Sequence, residues 1–212
     1  MYKIFTKLKS TFIVAITATT FLFAGAVLAG KPTDKVNPGK PGDANMLEIA
    51  LAVNAMGLEN VDEEVGEFAY LLGAVGCLPE EQAAAVVGLL TGSDKYTLFA
   101  PTNEAFRNLQ RTLTGDQEVE TSPELTCVVD DDTLFGVLAY HLTDGRRFSN
   151  SVFNKNGSKE LLMLDGNYIK TMKNFTIMDV ADQLIELPSL KNVNASNGVI
   201  HVVNTVMLPF QL

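Results

Sequence analysis

Thr97-Leu98-Phe99-Ala100-Pro101-Thr102-Asn103-Glu104-Ala105-Phe106 lies near the middle of the chain and decides how the rest is read. Tyr96 to Ala100 is a short apolar run with the composition of a buried strand. Pro101 fixes its own φ and turns the chain. Thr102 stands where a hydroxyl caps a helix N-terminus, and Phe106, Leu109 and Leu113 recur at helical spacing on one face. A buried strand thus passes through a proline turn directly into an amphipathic helix.

Upstream of this stretch the pattern is helical. Met46 to Met56 is a helix candidate closed by Gly57. Val65, Phe68, Leu72 and Val75 form an apolar stripe that Gly76 is expected to stop. A third helix is expected to start at Pro79, with Glu80 and Glu81 in the turn where the dipole favours acids, and to end at Gly92.

Downstream, Gly115 to Cys127 is polar and predicts a loop. Asp130, Asp131 and Asp132 precede a helix with Leu134, Val137, Leu138 and His141 on one face. The acidic run predicts an N-cap rather than a calcium loop, because no alternating series of oxygen ligands follows. From Arg147 onward the period changes. Leu161 to Leu164 and Tyr168 to Met172 flank the turn pair Asp165-Gly166, Phe175 to Met178 is a further strand candidate, and Val193 to Ser196 and Val199 to Val203 flank Asn197-Gly198. Helices followed by strands predict an α+β fold.

The chain has 212 residues and divides into an expected export signal (1–29), a Pro/Gly-rich linker (30–45) and one domain (46–212). Lys3, Lys7 and Lys9 precede an apolar stretch from Thr11 to Leu28, and Val27 and Ala29 occupy the small-residue positions of a cleavage site. A retained membrane anchor is the alternative, since the stretch approaches spanning length. The formal net charge is −9, which opposes binding to nucleic acid or to anionic lipid and favours solubility. Cys77 and Cys127 are the two cysteines. In an exported protein such a pair suggests a disulfide, worth at most about 4 kcal/mol for a loop of about 50 residues. Two buried thiols are the alternative.

No catalytic constellation is legible. His141 and His201 are the two histidines, and the sequence contains no nucleophile elbow, phosphate loop, HExxH or CxxC motif. His141 falls on the apolar stripe of its helix and His201 alternates with Val199 and Val203, so both are expected inside the fold as hydrogen-bonded residues. Tyr140 points off that stripe and is expected to be more exposed. Neither a metal nor a cofactor is expected. Asn156, Asn174 and Asn194 head Asn-X-Ser/Thr triplets, which matter only where exported proteins are glycosylated.

Three segments carry a resemblance. Thr97 to Phe106, the pair Tyr140-His141, and Asn197-Gly198-Val199-Ile200-His201-Val202-Val203-Asn204-Thr205-Val206-Met207-Leu208-Pro209 resemble, in order, the signature boxes and central Tyr-His pair of fasciclin-like domains. The resemblance implies a twisted β-wedge flanked by a group of helices. It implies that Thr97, Phe99, Pro101, Thr102, Phe106, Gly198, His201, Asn204 and Pro209 are signature residues with structural roles. It also implies a non-enzymatic adhesion or interaction module that is extracellular, on the cell surface or periplasmic. The partner would be a cell-surface or matrix protein or a polysaccharide, met near Tyr140 and His141 with Leu138 and Leu142. Asn103 and Asn204 replace acids common in the family, so integrin contact at the second box is not carried across. The alternative is a carrier of a small apolar ligand such as a carotenoid or lipid, with Met163, Met172 and Met178 lining an apolar groove.

Overall fold

A computed structural model describes residues 43–55, 68–118, 123–153, 157–187 and 191–212. The expected signal, the linker up to residue 42, Gly57, Val65 and Asn156 lie outside the described residues. The described part belongs to one unit, Val36–Leu212. Its elements are α1 (Met46–Ala55), α2 (Ala69–Cys77), α3 (Glu80–Thr91), β1 (Tyr96–Pro101), α4 (Asn103–Thr114), α5 (Asp131–Tyr140), β2 (Leu142–Asp144), α6 (Ser149–Val152), β3 (Lys159–Leu162), β4 (Tyr168–Thr171), β5 (Thr176–Met178), β6 (Leu184–Glu186), β7 (Val193–Ala195) and β8 (Gly198–Val203).

The expected α+β class holds. One sheet has the order β2-β1-β8-β7, the other β3-β4-β5-β6. In the first, β1 and β8 pair in parallel from Tyr96↔Gly198 to Pro101↔Val203, and β2 and β7 flank them antiparallel. The second sheet is antiparallel throughout. The two adjoin where the Leu164 N–H donates to the Leu142 carbonyl at 2.8 Å and the Thr143 hydroxyl to the Leu162 carbonyl at 2.7 Å.

Every residue of β8 is buried because the first sheet is covered on both faces. Leu98, Ala100, Ile200 and Val202 point to one side and pack with α1 to α5 through Ala50, Leu71, Leu90, Phe106 and Leu138. Phe99 and Val203 point to the other and pack with Leu161, Ile169, Ile177 and Ile185 of the second sheet. Two cores therefore share one sheet, and the period-2 alternation of its strands sorts residues between them.

Local signals set the helix ends. The Thr102 hydroxyl accepts from the Ala105 N–H at 3.1 Å, and the Asp130 carboxylate from the Thr133 N–H at 3.0 Å, so both predicted caps form. Gly76 does not stop α2. The helix runs through Cys77, and Leu78 becomes extended because Pro79 follows it. Pro123–Val128, inside the predicted loop, is a 3₁₀ helix, and the Cys77–Cys127 disulfide ties it to α2. Leu113 is 55% exposed, whereas Phe106 of the same predicted face is buried, because α4 leaves the core at its C-terminal turn. β2, β6 and α6 carry too few residues to have shown a period in the sequence. The β5 candidate is shorter than expected, with Phe175 drawn into a turn at φ 59° beside Asn174 at φ 60°.

The Asn197-Gly198 signal is corrected in register. Ala195 pairs with Gly198, so the turn residues are Ser196 and Asn197, and Gly198 opens β8. Its glycine is needed for close approach. A Cβ there would collide with the Tyr96 carbonyl oxygen and touch the Met46 sulfur at 3.0 Å. Asn197 beside it is 2% exposed, its Nδ2 donating to the Leu90 carbonyl at 2.7 Å and its Oδ1 accepting from the Met46 N–H at 2.9 Å. Gly198→Ala is expected to lower unfolding free energy by about 1–3 kcal/mol, as overpacking against rigid backbone does. Urea denaturation checks it, and an unchanged midpoint would remove the close-approach role.

Candidate interaction site

The residues expected to meet a partner lie inside the protein. Tyr140 has no exposed surface, and Leu138, His141 and Leu142 are 4%, 1% and 1% exposed. The expected exposure of Tyr140 is corrected because its ring enters the second core while Leu138 and Leu142 enter the first. Its hydroxyl donates to the Tyr168 carbonyl at 3.1 Å and accepts from the Val180 N–H at 3.1 Å. One side chain thus fastens α5 to β4 and to the chain leaving β5. Burial pushes the phenol above its ordinary pKa, so it remains protonated.

Both histidines are internal staples, as their positions on apolar faces predict. His141 Nδ1 lies 2.7 Å from the Val137 carbonyl, and its Nε2 accepts from the Met207 N–H at 3.0 Å. A carbonyl can only accept and an amide N–H only donate, so the ring is neutral with its proton on Nδ1. His201 is the mirror case. Its Nε2 donates to the Arg147 carbonyl at 2.8 Å, and its Nδ1 accepts from the Asn192 N–H at 3.3 Å. In each ring the one nitrogen lone pair available to a proton or metal is already used. Burial pulls both pKa values down to about 4, against the smaller upward pull of the carbonyl each ring meets.

Several of the residues in the resembling segments make contacts within the fold. The Thr97 hydroxyl donates to the Gly145 carbonyl at 2.7 Å and accepts from the Arg147 N–H at 2.8 Å. Phe99 stacks on His201 with ring centroids 5.5 Å apart, and Phe106 on Tyr70 at 6.0 Å. Pro101 closes β1 and Pro209 is half-buried beyond Leu208. Asn204 is exposed past the end of β8, while Asn103 is buried and accepts from the Tyr70 N–H at 3.1 Å. Met163 is 2% exposed within the second core, and Met172 and Met178 are half-buried. Asn174 is exposed and Asn194 half-buried.

Beyond the buried His141, Leu142 and Thr143, Asp144 is exposed and the residues from Gly145 to Ser149 are half-buried. Arg146 Nη1 donates to the Ala195 carbonyl at 3.0 Å and the Ser196 carbonyl at 3.4 Å, and Nη2 bonds Asn194 Oδ1. Lys95 Nζ donates to the same Ser196 carbonyl at 3.1 Å. Arg147 Nε donates to the Asp144 carbonyl at 2.7 Å. The grouping was not legible because its members are far apart in sequence. The one available signal was the Arg146-Arg147 doublet in an acidic chain.

Two outcomes follow from the buried groups. Tyr140→Phe is expected to cost about 1–3 kcal/mol, by leaving the Val180 N–H without its partner, as read by chemical denaturation. Between about pH 6.5 and 4 the unfolded chain binds more protons at His141 and His201 than the folded one. Their contribution to stability is complete above pH 6.5 and is lost as pH falls to about 4, by roughly 3 kcal/mol for each histidine. Melting temperature measured from pH 7 to 4 should fall across that window, and less steeply in His141→Gln. A flat profile would contradict the buried neutral rings.

Residues 80–209 match the fasciclin-domain family profile, described as "Fasciclin domain". The chain is 33% identical over 129 residues to protein sll1483 of Synechocystis sp., covering 60% of this chain and 63% of that one. It is also 33% identical over 134 residues to periostin of Homo sapiens, covering 60% of this chain and 14% of that one. The chain thus spans less than two thirds of the length of either relative. A solved FAS1 domain pair from the insect cell adhesion molecule fasciclin I aligns over 66% of this chain and 45% of that one, with a TM-score of 0.43 and 14% identity. With the family profile spanning more than half of its length, this chain belongs to the fasciclin-domain family.

Proposed function

We propose that this chain is an exported, non-enzymatic interaction module that attaches to a cell-surface, matrix or polysaccharide partner. The observation that carries this reading is the inward closure of His141, His201 and Tyr140. Each spends its polar atoms on backbone groups of the fold, so none is poised as a base or nucleophile at the surface. Fasciclin domains occur in cell adhesion proteins such as fasciclin I, which is consistent with such a role. The disulfide between Cys77 and Cys127 suits an oxidising compartment. In this reading residues 1–29 direct export, 30–45 space the module from its point of attachment, and 46–212 make the contact.

In this reading the contact surface lies around the exposed Asp144 and the half-buried Arg146 and Arg147, rather than on Tyr140 itself. The buried signature residues Thr97 and His201 fix that segment from beneath, since His201 holds the Arg147 carbonyl and Thr97 holds the Arg147 N–H. The apolar-carrier alternative expected Met163, Met172 and Met178 to line a groove, and Met163 is 2% exposed within the second core.

Pure exported protein added to cells of its source, or to their isolated matrix, is expected to bind saturably. A screen with ester, peptide and glycoside substrates is expected to show no turnover. Absence of binding, or turnover that follows the protein through purification, would overturn the reading.

A further inference from the structure

We propose that Lys95, Arg146 and Arg147 form a binding site for the carboxylate groups of an acidic polysaccharide, a proposal that deepens the interaction role above and rests on it. Lys95 and Arg146 reach the same Ser196 carbonyl oxygen, so two positive groups are held as neighbours. The oxygens that hold them are an amide and backbone carbonyls rather than carboxylates. Among the described residues the ion pairs are those of Glu104 with Arg107 and Arg111 on α4, and neither Asp94 nor Asp144 forms one with this group. Like charges brought together without an ion-paired carboxylate repel each other, and an anion relieves that repulsion.

The three side chains divide the work. Arg146 is half-buried and its fork is occupied by the β7–β8 turn, so it supplies fixed charge. Lys95 is exposed and uses one of its three donors on Ser196. Arg147 uses Nε on the Asp144 carbonyl, leaving its two terminal nitrogens to meet the two oxygens of a carboxylate.

The protein's net charge of −9 works against any polyanion. Asp43, Asp94 and Asp144 are the acids nearest the group in the chain, Ala44 accepting from the Ser196 N–H, and none of the three forms an ion pair with it, while the acids of α3 stand farther off. Asn197 bonds the Leu90 carbonyl, which places neighbouring Ser196 at the C-terminal end of α3. Glu80 and Glu81 stand at the opposite end, about 15 Å away along the axis, and Asp132 is tied to that end by Gln82. At physiological salt the Debye length is about 8 Å, so those acids are largely screened while the cations act at contact. A linear polyuronate fits because it presents isolated carboxylates along a neutral, hydroxyl-bearing chain, with less charge to repel than a nucleic acid.

The test is retention of the full exported chain on immobilised polygalacturonate, beside neutral dextran and poly-glutamate. Retention on polygalacturonate at about 0.15 M salt and release towards 1 M are expected, with none on dextran. The double variant Lys95→Gln/Arg147→Gln leaves Arg146 to hold the turn, and should weaken binding about tenfold or more while the chain still unfolds cooperatively, at a melting temperature lowered only by the loss of two hydrogen bonds. No retention of the native chain, equal retention of the variant, or preference for poly-glutamate would overturn the proposal. Assaying both proteins on cells or matrix separates the two readings. If native and variant bind there equally, the carboxylate site fails and the interaction role stands. If neither binds, the interaction role itself fails.

Discussion

The parallel pairing of β1 with β8 joins residues about a hundred positions apart, and the rest of the structure is arranged around keeping it buried. A central parallel pair leaves no face for water, so both sides must be covered by apolar groups. Helices cover one side and the second sheet covers the other. The start of the pair tolerates only glycine at position 198, because Tyr96 and Met46 crowd it. Asn197, one residue earlier, satisfies backbone groups of α1 and α3 from the same spot. A pairing this distant in sequence carries a large loop-closure cost, which the two cores together must offset.

Covering both faces creates a second requirement. Chain segments that cross the cores carry backbone donors and acceptors, and each needs a partner away from water. Polar side chains supply them. His141 takes the Met207 N–H, His201 the Arg147 carbonyl and Asn192 N–H, and Tyr140 the Tyr168 carbonyl and Val180 N–H. Asp179, 4% exposed, accepts from the Leu208 N–H at 2.9 Å and from Gln183. The side chains most suggestive of chemistry are therefore consumed by architecture. Their neutrality follows from the same geometry, since a protonated imidazole would leave a buried amide donor facing another donor. His141 caps the C-terminus of α5, where the helix dipole favours a cation by no more than about 2 kcal/mol, and the cost of burying the charge exceeds that.

With the interior so occupied, Lys95 and Arg146 meet at the rim of the first sheet, on the Ser196 carbonyl. Burial of Thr97 and His201 and the position of Arg147 are parts of one arrangement, because these two signature residues anchor the Arg147 backbone from beneath.

The order of elements and the α+β class were legible because helical and strand periods differ and the strongest segments are long enough to show them. Thr102 and Asp130 were legible as caps because a cap acts on residues within one turn of itself. The interior placement of His141 and His201 was legible from the apolar faces they share. Tyr140 was misjudged because helical spacing defines one apolar face, and this helix touches two cores. Gly198 was recognised as special for a turn, whereas its reason is an approach by a strand a hundred residues away. Short strands such as β2 and β6 are set by neighbours across the sheet rather than by their own three residues. The same holds for Lys95 and Arg146, whose meeting at Ser196 is a property of the β1–β8 pairing. Local periodicity and capping are written into adjacent residues, while close approach, dual burial and converging charge exist only once distant segments are packed together.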